Sequence, residues 1–367
     1  MVARDGVGFG DDWTGVHRAA LQRSATHGAF GPPMTHLPLR RLALTATLLG
    51  APAAGQNSFR PLPSVPETNH SGAGVIAPAR QPRTYFEELD SAAARPKRER
   101  YVEVSGFADA HGASSLEGGG DVSMQHGGWS VVLGTELQGE RLAAFGISTE
   151  AYFYNFGGGN SLVPGASEPF NDLYRTRVSG VVRTPSSDGL GWFSGFELAL
   201  SGEDEAPTNE SLAVGGLGGV RYHAGAALDV ELGVAAQSRL EDDPWFWPYI
   251  GVAWHPTDAL TLEARGTSLE GRLALDRHWS LFGRADYELR QFRLNDDNAA
   301  SKGVFRDEEI RAGLGLAHSG ASGLTFELFG GVEVWRELSA LDENGARTAE
   351  VEADGAPFVA LKLSLSL

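Results

Sequence analysis

The feature that most constrains this chain is an alternation of apolar and polar side chains that recurs from residue 101 onward. In the segment WSLFGRADYELR, from Trp279 to Arg290, one parity is apolar or small and the other carries most of the charge. Successive residues of a β-strand face opposite sides, so each such segment has one apolar and one charged face. The same split recurs at 310–317, 324–334 and 359–367, and more weakly at 129–137, 145–153, 174–182, 192–200 and 228–234.

Strand length separates the two architectures that alternate in this way. The predicted strands run about ten to fourteen residues, longer than the usual mode of about five or six and enough for a tilted membrane crossing of about nine to eleven. A soluble sandwich or propeller is the alternative, but it would leave a charged face wet along every strand. A barrel of this size places that face in a lumen and leaves no strand edge unpaired in lipid. The pattern therefore predicts an all-β, antiparallel, up-and-down transmembrane β-barrel.

Connection lengths predict the topology, because outer-membrane barrels alternate short periplasmic turns with longer outer loops. Fourteen strands result if a hairpin forms at Gly266–Ser268, and both termini then lie on the periplasmic side. Merging weakly patterned pairs of strands gives twelve as the alternative, and 259–275 could form one long bulged strand in place of the hairpin. Short connections are predicted near 138–141, 185–190, 223–227, 256–258, 276–278 and 318–323, and longer ones near 111–121, 157–171, 202–210, 239–244, 293–304 and 337–354.

Two sets of side chains follow from the alternation. Aromatic residues near predicted strand ends would lie at the membrane–water interface, where an amphipathic ring is favoured; they are Trp129, Trp192, Trp245, Trp247, Tyr249, Trp254 and Trp279. The charged parity of the last third would line a pore, where mixed charge selects solutes, although the same residues could instead pair and fill a narrow barrel. They are Arg284, Asp286, Glu288, Arg290, Arg311, Glu327, Glu333 and Lys362.

The first hundred residues have a different character. Met34 opens a short basic region with Arg40 and Arg41, followed by the apolar stretch LALTATLLGAPAAG. This anatomy predicts a secretory signal peptide over 34–55, cleaved after Ala53 or Gly55, with a buried helix as the alternative. Residues 1–33 would then be a non-native extension. Residues 56–100, rich in Pro, Ser, Ala and Arg, are expected to be a disordered linker or periplasmic segment before the barrel domain at 101–367.

Composition excludes several kinds of chemistry. The chain of 367 residues has no cysteine, so disulfide scaffolds, thiolate catalysis and cysteine-bound metals are excluded, and its net charge of −17 argues against a nucleic-acid partner. The glycine run at 215–219 precedes no helix, and His318 with Ser319 lies in a predicted turn with no orienting partner. We therefore expect no enzyme, no cofactor and no metal. The acidic outer loops suggest a divalent-cation screen or, more simply, solvated loops.

The C-terminal run FVALKLSLSL resembles the terminal strand that the outer-membrane insertion machinery recognises, although it ends in Leu367 rather than an aromatic residue. The stretch beginning at Trp247, WPYIGVAWHPTDALTLEARGTSLEGRLALDRHWSLFGRADYELRQF, and the later IRAGLGLAHSGASGLTFELFGGVEVWREL resemble a bacterial family of outer-membrane β-barrels of unknown function. The resemblance covers roughly 101–367. It implies this fold and an outer-membrane location, and it brings no catalytic residue.

These inferences converge on an exported bacterial outer-membrane barrel acting as a porin-like passive channel for small hydrophilic solutes or ions. A non-conducting structural barrel whose acidic loops bind a surface partner is the alternative. Expected partners are membrane lipid, lipopolysaccharide and the insertion machinery acting on the C-terminal strand, with no nucleic acid.

Overall fold

The computed structural model describes residues 100–137, 141–158, 162–163, 169–170, 172–184, 189–296 and 302–367. The predicted segments 1–33 and 34–55, and all of 56–100 except Arg100, lie outside these residues. The described chain forms fifteen strands and one short 3₁₀ turn at Gly225–Ala227. The strands are β1 (Arg100–Ser115), β2 (Asp121–Leu137), β3 (Arg141–Gly157), β4 (Leu173–Arg183), β5 (Gly189–Glu203), β6 (Leu212–Ala224), β7 (Leu228–Arg239), β8 (Asp242–Thr257), β9 (Leu260–Arg265), β10 (Ser268–Ala274), β11 (Trp279–Arg293), β12 (Val304–Ser319), β13 (Leu324–Leu341), β14 (Arg347–Ala353) and β15 (Pro357–Ser366).

The strands close into a single antiparallel barrel with fourteen positions around its wall. Each strand pairs with its sequence neighbour from β1 to β13, and β15 closes the ring between β13 and β1. β14 continues the line of β15, because β15 pairs with the first part of β13 and β14 with its last part. The predicted all-β up-and-down barrel and its count of fourteen are confirmed.

The two strand faces separate inside from outside as the alternation predicted. Large apolar side chains of one parity are exposed on the outer surface, among them Leu133, Leu314 and Val334. Side chains of the other parity are mostly charged or small and are buried inside the ring. Tight packing in the interior requires glycine in places: a Cβ on Gly315 would lie 2.2 Å from Cζ of Phe282, whose ring covers it.

Successive connections alternate between the two ends of the barrel, which we call the turn end and the loop end, and the longest intervals between strands, after β3 and after β11, fall at the loop end. The hairpin expected at Gly266–Ser268 is present as a two-residue turn, with Arg265 paired to Ser268 and Gly266 at φ +51°. Both described termini of the barrel, Arg100 and Leu367, lie at the turn end, since Leu367 N donates to Val102 O at 2.8 Å.

Two predicted loops are wrong in extent. Residues 337–354 do not form a long loop, because β13 continues to Leu341 and turns at 342–346 into β14. The loop predicted at 239–244 is reduced to Leu240 and Glu241 between β7 and β8. In both places the polar side chains predict a loop, but the backbone remains paired, because the sheet continues past the part of the wall that has an apolar outer surface.

Within the described residues, no helix has the length and apolar character needed to cross a membrane.

Candidate functional site: the barrel interior

All eight residues that the sequence assigned to the lumen point into the barrel. Seven of them are buried and Glu288 is half-buried. They do not form a single site. The structure places Asp286, Glu288, Arg290, Arg311 and Glu333 in one central layer, and it places Arg284, Glu327 and Lys362 nearer the turn end.

The central layer is built around Arg290, which is fully buried. Its guanidinium donates to Asp307 Oδ2 at 3.0 Å, Glu309 Oε1 at 2.5 Å and Glu288 Oε2 at 2.8 Å. Arg336, also fully buried, donates to Asp307 at 3.0 and 2.9 Å and to Glu333 Oε1 at 3.1 Å. Hydrogen-bonded charges of this kind offset the cost of removing an ion from water, so the layer is a filled section of the lumen.

Histidines extend this layer onto β1 and β2. His111 Nδ1 is hydrogen-bonded to Glu333 and its Nε2 lies 3.7 Å from Asp109. His126 lies 3.3 Å from Asp109 and stacks on Tyr152, with ring centroids 4.1 Å apart. Sequence reasoning missed these groups, although their parity in β1 and β2 matches that of the inward-facing serines.

His111, Glu309 and Glu333 also bring three possible metal-binding atoms within 4.8 Å of one another. Arg290 contacts Glu309 and Arg336 contacts Glu333, so cationic side chains already occupy these carboxylates. The arrangement is that of an ion-pair network, which needs no further cation.

A second network lies toward the turn end on β10, β11 and β13. Arg272 donates to Glu270 Oε1 at 3.0 Å and to Glu327 Oε1 at 3.1 Å, and Arg284 donates to Glu270 Oε2 at 3.0 Å. The Phe282 ring lies under both guanidiniums, at 4.6 Å from Arg272 and 5.2 Å from Arg284. Cation–π contact and ion pairing together hold the two arginines flat against the wall.

A third network occupies the opposite wall near the turn end. Arg183 donates to Glu231 Oε1 at 3.1 Å, Arg221 donates to Asp229 Oδ1 at 3.0 Å, and Arg265 lies 2.8 Å from Glu263. These three pairs join β4 to β7, β6 to β7, and two positions of β9.

At the loop end the interior changes from charged to apolar. The aromatic rings of Tyr152, Phe292 and Phe305 pack there with Leu338 and with Phe170 from the β3–β4 connection. Leu162 and Val163, from the same connection, are buried in this cluster. The described residues of this connection therefore lie among side chains of the barrel interior. We call this group the apolar seal.

A cavity of about 150 Å³ lies beside the central layer, against β4–β8 and β11. Charged groups line its inner side, and Trp247, Leu217, Leu240 and Leu289 line the rest. The charged lining is balanced in sign, with Glu150, Glu197, Asp286 and Glu288 against Arg175, Arg177, Arg239 and Arg311.

Three of the seven predicted interface aromatics, Trp192, Trp254 and Trp279, lie near the turn end of the outer surface and are each about two-fifths exposed. The prediction for Tyr249 is wrong, because this residue lies inside the barrel at 5% exposure against Phe193. Trp245 and Trp247 share its inward parity, and their tilted rings lie 4.9 Å apart. Trp129 faces outward but lies in mid-strand, since β2 begins at Asp121.

Known structures with a similar barrel include an outer membrane channel from Pseudomonas putida F1, at 8% identity over 75% of this chain and 98% of that one, with a TM-score of 0.42. The Pseudomonas putida toluene transporter TodX is 9% identical over 75% and 91%, with a TM-score of 0.44. The translocator domain of autotransporter NalP from Neisseria meningitidis is 14% identical over 76% and 92%, at 0.34.

No protein-family model matches the chain, and no curated protein matches it by sequence. Likenesses at these scores say nothing about what this barrel carries.

Proposed function

We propose that the chain is a bacterial outer-membrane barrel that passes small hydrophilic solutes or ions along its charged interior, without catalysis. The apolar outer surface, with Trp192, Trp254 and Trp279 near the turn end, supports a membrane location. An exported protein also fits the signal peptide that we propose for 34–55, and the terminal strand β15 fits recognition by the insertion machinery.

The observation that carries this proposal is the layered, mixed-charge interior around the cavity. Arginines and carboxylates facing each other across a lumen set a transverse field that selects solutes by charge and size. The layer is densely filled, so we expect a narrow path and a conductance well below that of an open porin. Solute passage would require Arg290 and Glu288 to move within their network.

The alternative is a non-conducting barrel whose acidic loops bind a surface partner. The apolar seal favours it, because buried aromatic rings at the loop end resist the entry of hydrated ions. The two functions differ in one measurable property, which is ion current across a bilayer that contains the folded protein.

The test is single-channel recording in planar bilayers from refolded protein whose folded fraction is verified by heat-modifiable gel mobility. Stepwise currents are expected from the wild-type barrel. Arg290→Ser and Arg284→Ser remove interior positive charge, so each should shift the reversal potential in a salt gradient toward cation preference. Arg347→Ser, in the exposed β14 strand, is the matched control and should leave the reversal potential unchanged.

Unchanged reversal potentials in both interior variants would refute the assignment of these arginines to the conducting path. Recovery of the native protein from the soluble periplasm, without a heat-modifiable gel shift, would refute the membrane location itself. N-terminal sequencing of the exported protein tests the signal peptide: Ala54 or Gln56 is the expected first residue, and a chain that begins before Met34 or retains 34–53 would contradict it.

A further inference from the structure

The barrel wall has a window between β8 and β11. The hairpin β9–β10 is short and ends at the level where Gly266 N donates to Ile250 O at 3.1 Å and Tyr287 N donates to Thr267 O at 3.0 Å. Beyond this level β8 and β11 continue toward the loop end without β9 or β10 between them. A gap of this kind exposes backbone groups that a closed barrel in lipid would pair.

The edge of β8 is adapted to remain unpaired. Because Ile250 O points toward β9, Pro248, which has the same parity, has its backbone nitrogen on that side as well. Proline has no N–H to donate, and within sheets it is confined to edges, first residues and bulges. Pro248 therefore removes one donor from the rim of the window, and Pro244 lies farther along β8, where the register with β7 shifts.

The β7–β8 turn forms the roof of the window. Leu240 N donates across the gap to Gln291 Oε1 at 3.1 Å, and Arg293 donates to Glu241 Oε1 at 2.5 Å. The opening is thus bounded below by the hairpin tip, at the sides by β8 and β11, and above by this turn.

The cavity beside the central layer reaches this window. Four consecutive residues of β11, from Asp286 to Leu289, line it together with Gly266 and Thr267 of the hairpin tip. These residues belong to the tip below the window and to one of its sides, so the cavity lies against the window from inside the barrel.

Two charged groups of the cavity make no side-chain hydrogen bond among the described residues. Arg175, 6% exposed, lies 3.8 Å from Glu288 and over the rings of Tyr152 and Phe292. Glu197, 7% exposed, makes neither a hydrogen bond nor an ion pair there. Buried polar groups normally form hydrogen bonds, so the hydrogen-bonding capacity of these two side chains is available to a solute.

The lining defines the chemistry of that solute. A carboxylate would be repelled by Glu197 and an ammonium by Arg175, whereas a hydroxyl accepts from a guanidinium and donates to a carboxylate. Trp247, Leu217 and Leu289 offer an apolar surface for a compact body, and about 150 Å³ suits one small ring. Outside the window, Phe246 and Ile250 are exposed on the apolar face of the wall.

We propose that the window is a side portal through which a small uncharged amphiphile bearing a hydroxyl group, of the size of a phenol, enters the cavity from the membrane side of the wall and binds between Arg175 and Glu197. This goes beyond the proposed function and does not require ion conduction, so binding and current are measured separately.

The test is equilibrium dialysis of radiolabelled phenol, toluene and benzoate against the full chain in detergent, with protein-free micelles subtracted. Saturable binding of one phenol per barrel is expected, at least tenfold tighter than either toluene or benzoate. Equal or tighter binding of toluene would show that the polar pair is irrelevant, and tighter benzoate would show that the site takes an anion; both overturn the proposed class. Absence of saturable phenol binding overturns the site.

Variants separate the site from the route. Arg175→Met and Glu197→Gln should each weaken phenol binding about tenfold in barrels that keep their heat-modifiable mobility, whereas Arg347→Met should not. The route is tested after folding: the chain has no cysteine, so Thr267→Cys can be labelled alone with a bulky maleimide at the window. Labelling should abolish phenol binding, and labelling Leu314→Cys on the distant apolar surface should not. Unchanged binding after Thr267→Cys labelling would overturn the side portal.

Discussion

Two regions of the barrel wall differ in how completely their strands are paired. From β11 through β13 and β15 to β3, strands of ten to eighteen residues pair over nearly their whole length, and the interior behind them is filled by the central layer. From β8 to β10, a hairpin with strands of six and seven residues leaves the window, and the cavity lies behind it. The interior behind the complete wall is filled by ion pairs, whereas the cavity lies against the part of the wall that is cut short.

The largest expected effect comes from the complete region. Arg290→Ala would leave Asp307, Glu309 and Glu288 without a shared cation, and breaking a buried ion pair on one side costs about 3–5 kcal/mol. The free energy of unfolding in urea, followed by gel mobility, should fall by that amount. Arg347→Ala, an exposed arginine, should change it by less than about 0.5 kcal/mol.

A loss below about 1 kcal/mol for Arg290→Ala would mean that the central layer is not a filled section of the lumen. Such a small loss would mean that water can hydrate the three carboxylates when Arg290 is absent. The interior behind the complete part of the wall would then be no more densely filled than the interior behind the window.

The apolar seal gives a second large effect. Phe292→Ala removes a fully buried ring that contacts Tyr152 and Phe305, and truncation of a buried phenylalanine costs about 3–5 kcal/mol. Phe246→Ala, with 68% of the residue exposed on the outer surface, is the control. Equal losses in the free energy of unfolding for the two variants would contradict the interior packing of the loop end.

An effect of intermediate size is expected in the hydrogen exchange of backbone amides, which should differ between the two regions of the wall. On β11, Leu289 and Ala285 have the parity of Tyr287 and so face the β10 side, but Ala285 lies opposite Leu269 while Leu289 faces the window. The Leu289 amide should exchange with deuterium at least tenfold faster than the Ala285 amide, by NMR in micelles. Equal exchange rates for the two amides would show that other groups hydrogen-bond the Leu289 amide and close the gap.

The smallest effect is expected in the turn before β11. Asp276 Oδ1 accepts from His278 N at 2.7 Å and Trp279 N at 2.9 Å, and these bonds hold the pKa of the carboxyl below its ordinary value. A lowered folded pKa stabilises the native state above the unfolded pKa, and that contribution disappears as pH falls through the folded value. Asp276→Ala should therefore slightly lower the unfolding midpoint at neutral pH and have no effect in strong acid; an equal effect at both pH values would contradict this.

The alternation of side chains was sufficient to predict the barrel and the inward direction of Arg284 and Arg290, because the side to which a strand residue points is a local property. The fourteen positions followed from the connection lengths. The same rule predicts that Tyr249 and Trp254 point to opposite sides of the wall, since they lie an odd number of residues apart on one strand. Applied to both residues, it would have excluded Tyr249 from the lipid-facing set. The partners of these charges were not predictable. His111 and Glu333 lie 222 residues apart, and their contact depends on closure of the ring by β15.

The window shows a similar limit. The hairpin at Gly266 was predictable from sequence, but the gap that it leaves in the wall was not. That gap depends on how far β8 and β11 continue toward the loop end beyond the hairpin. The segment RLEDDPWFWPY was read as a loop followed by an interfacial aromatic cluster, whereas its backbone forms the rim of the gap.

The most direct test of the central claim is the single-channel current of the folded wild-type barrel in a planar bilayer. The account predicts small, discrete, ion-selective steps whose reversal potential moves when Arg284 or Arg290 is replaced by serine. A folded, inserted barrel that gives no steps above the background of the bilayer would contradict the channel and leave the non-conducting barrel as the function.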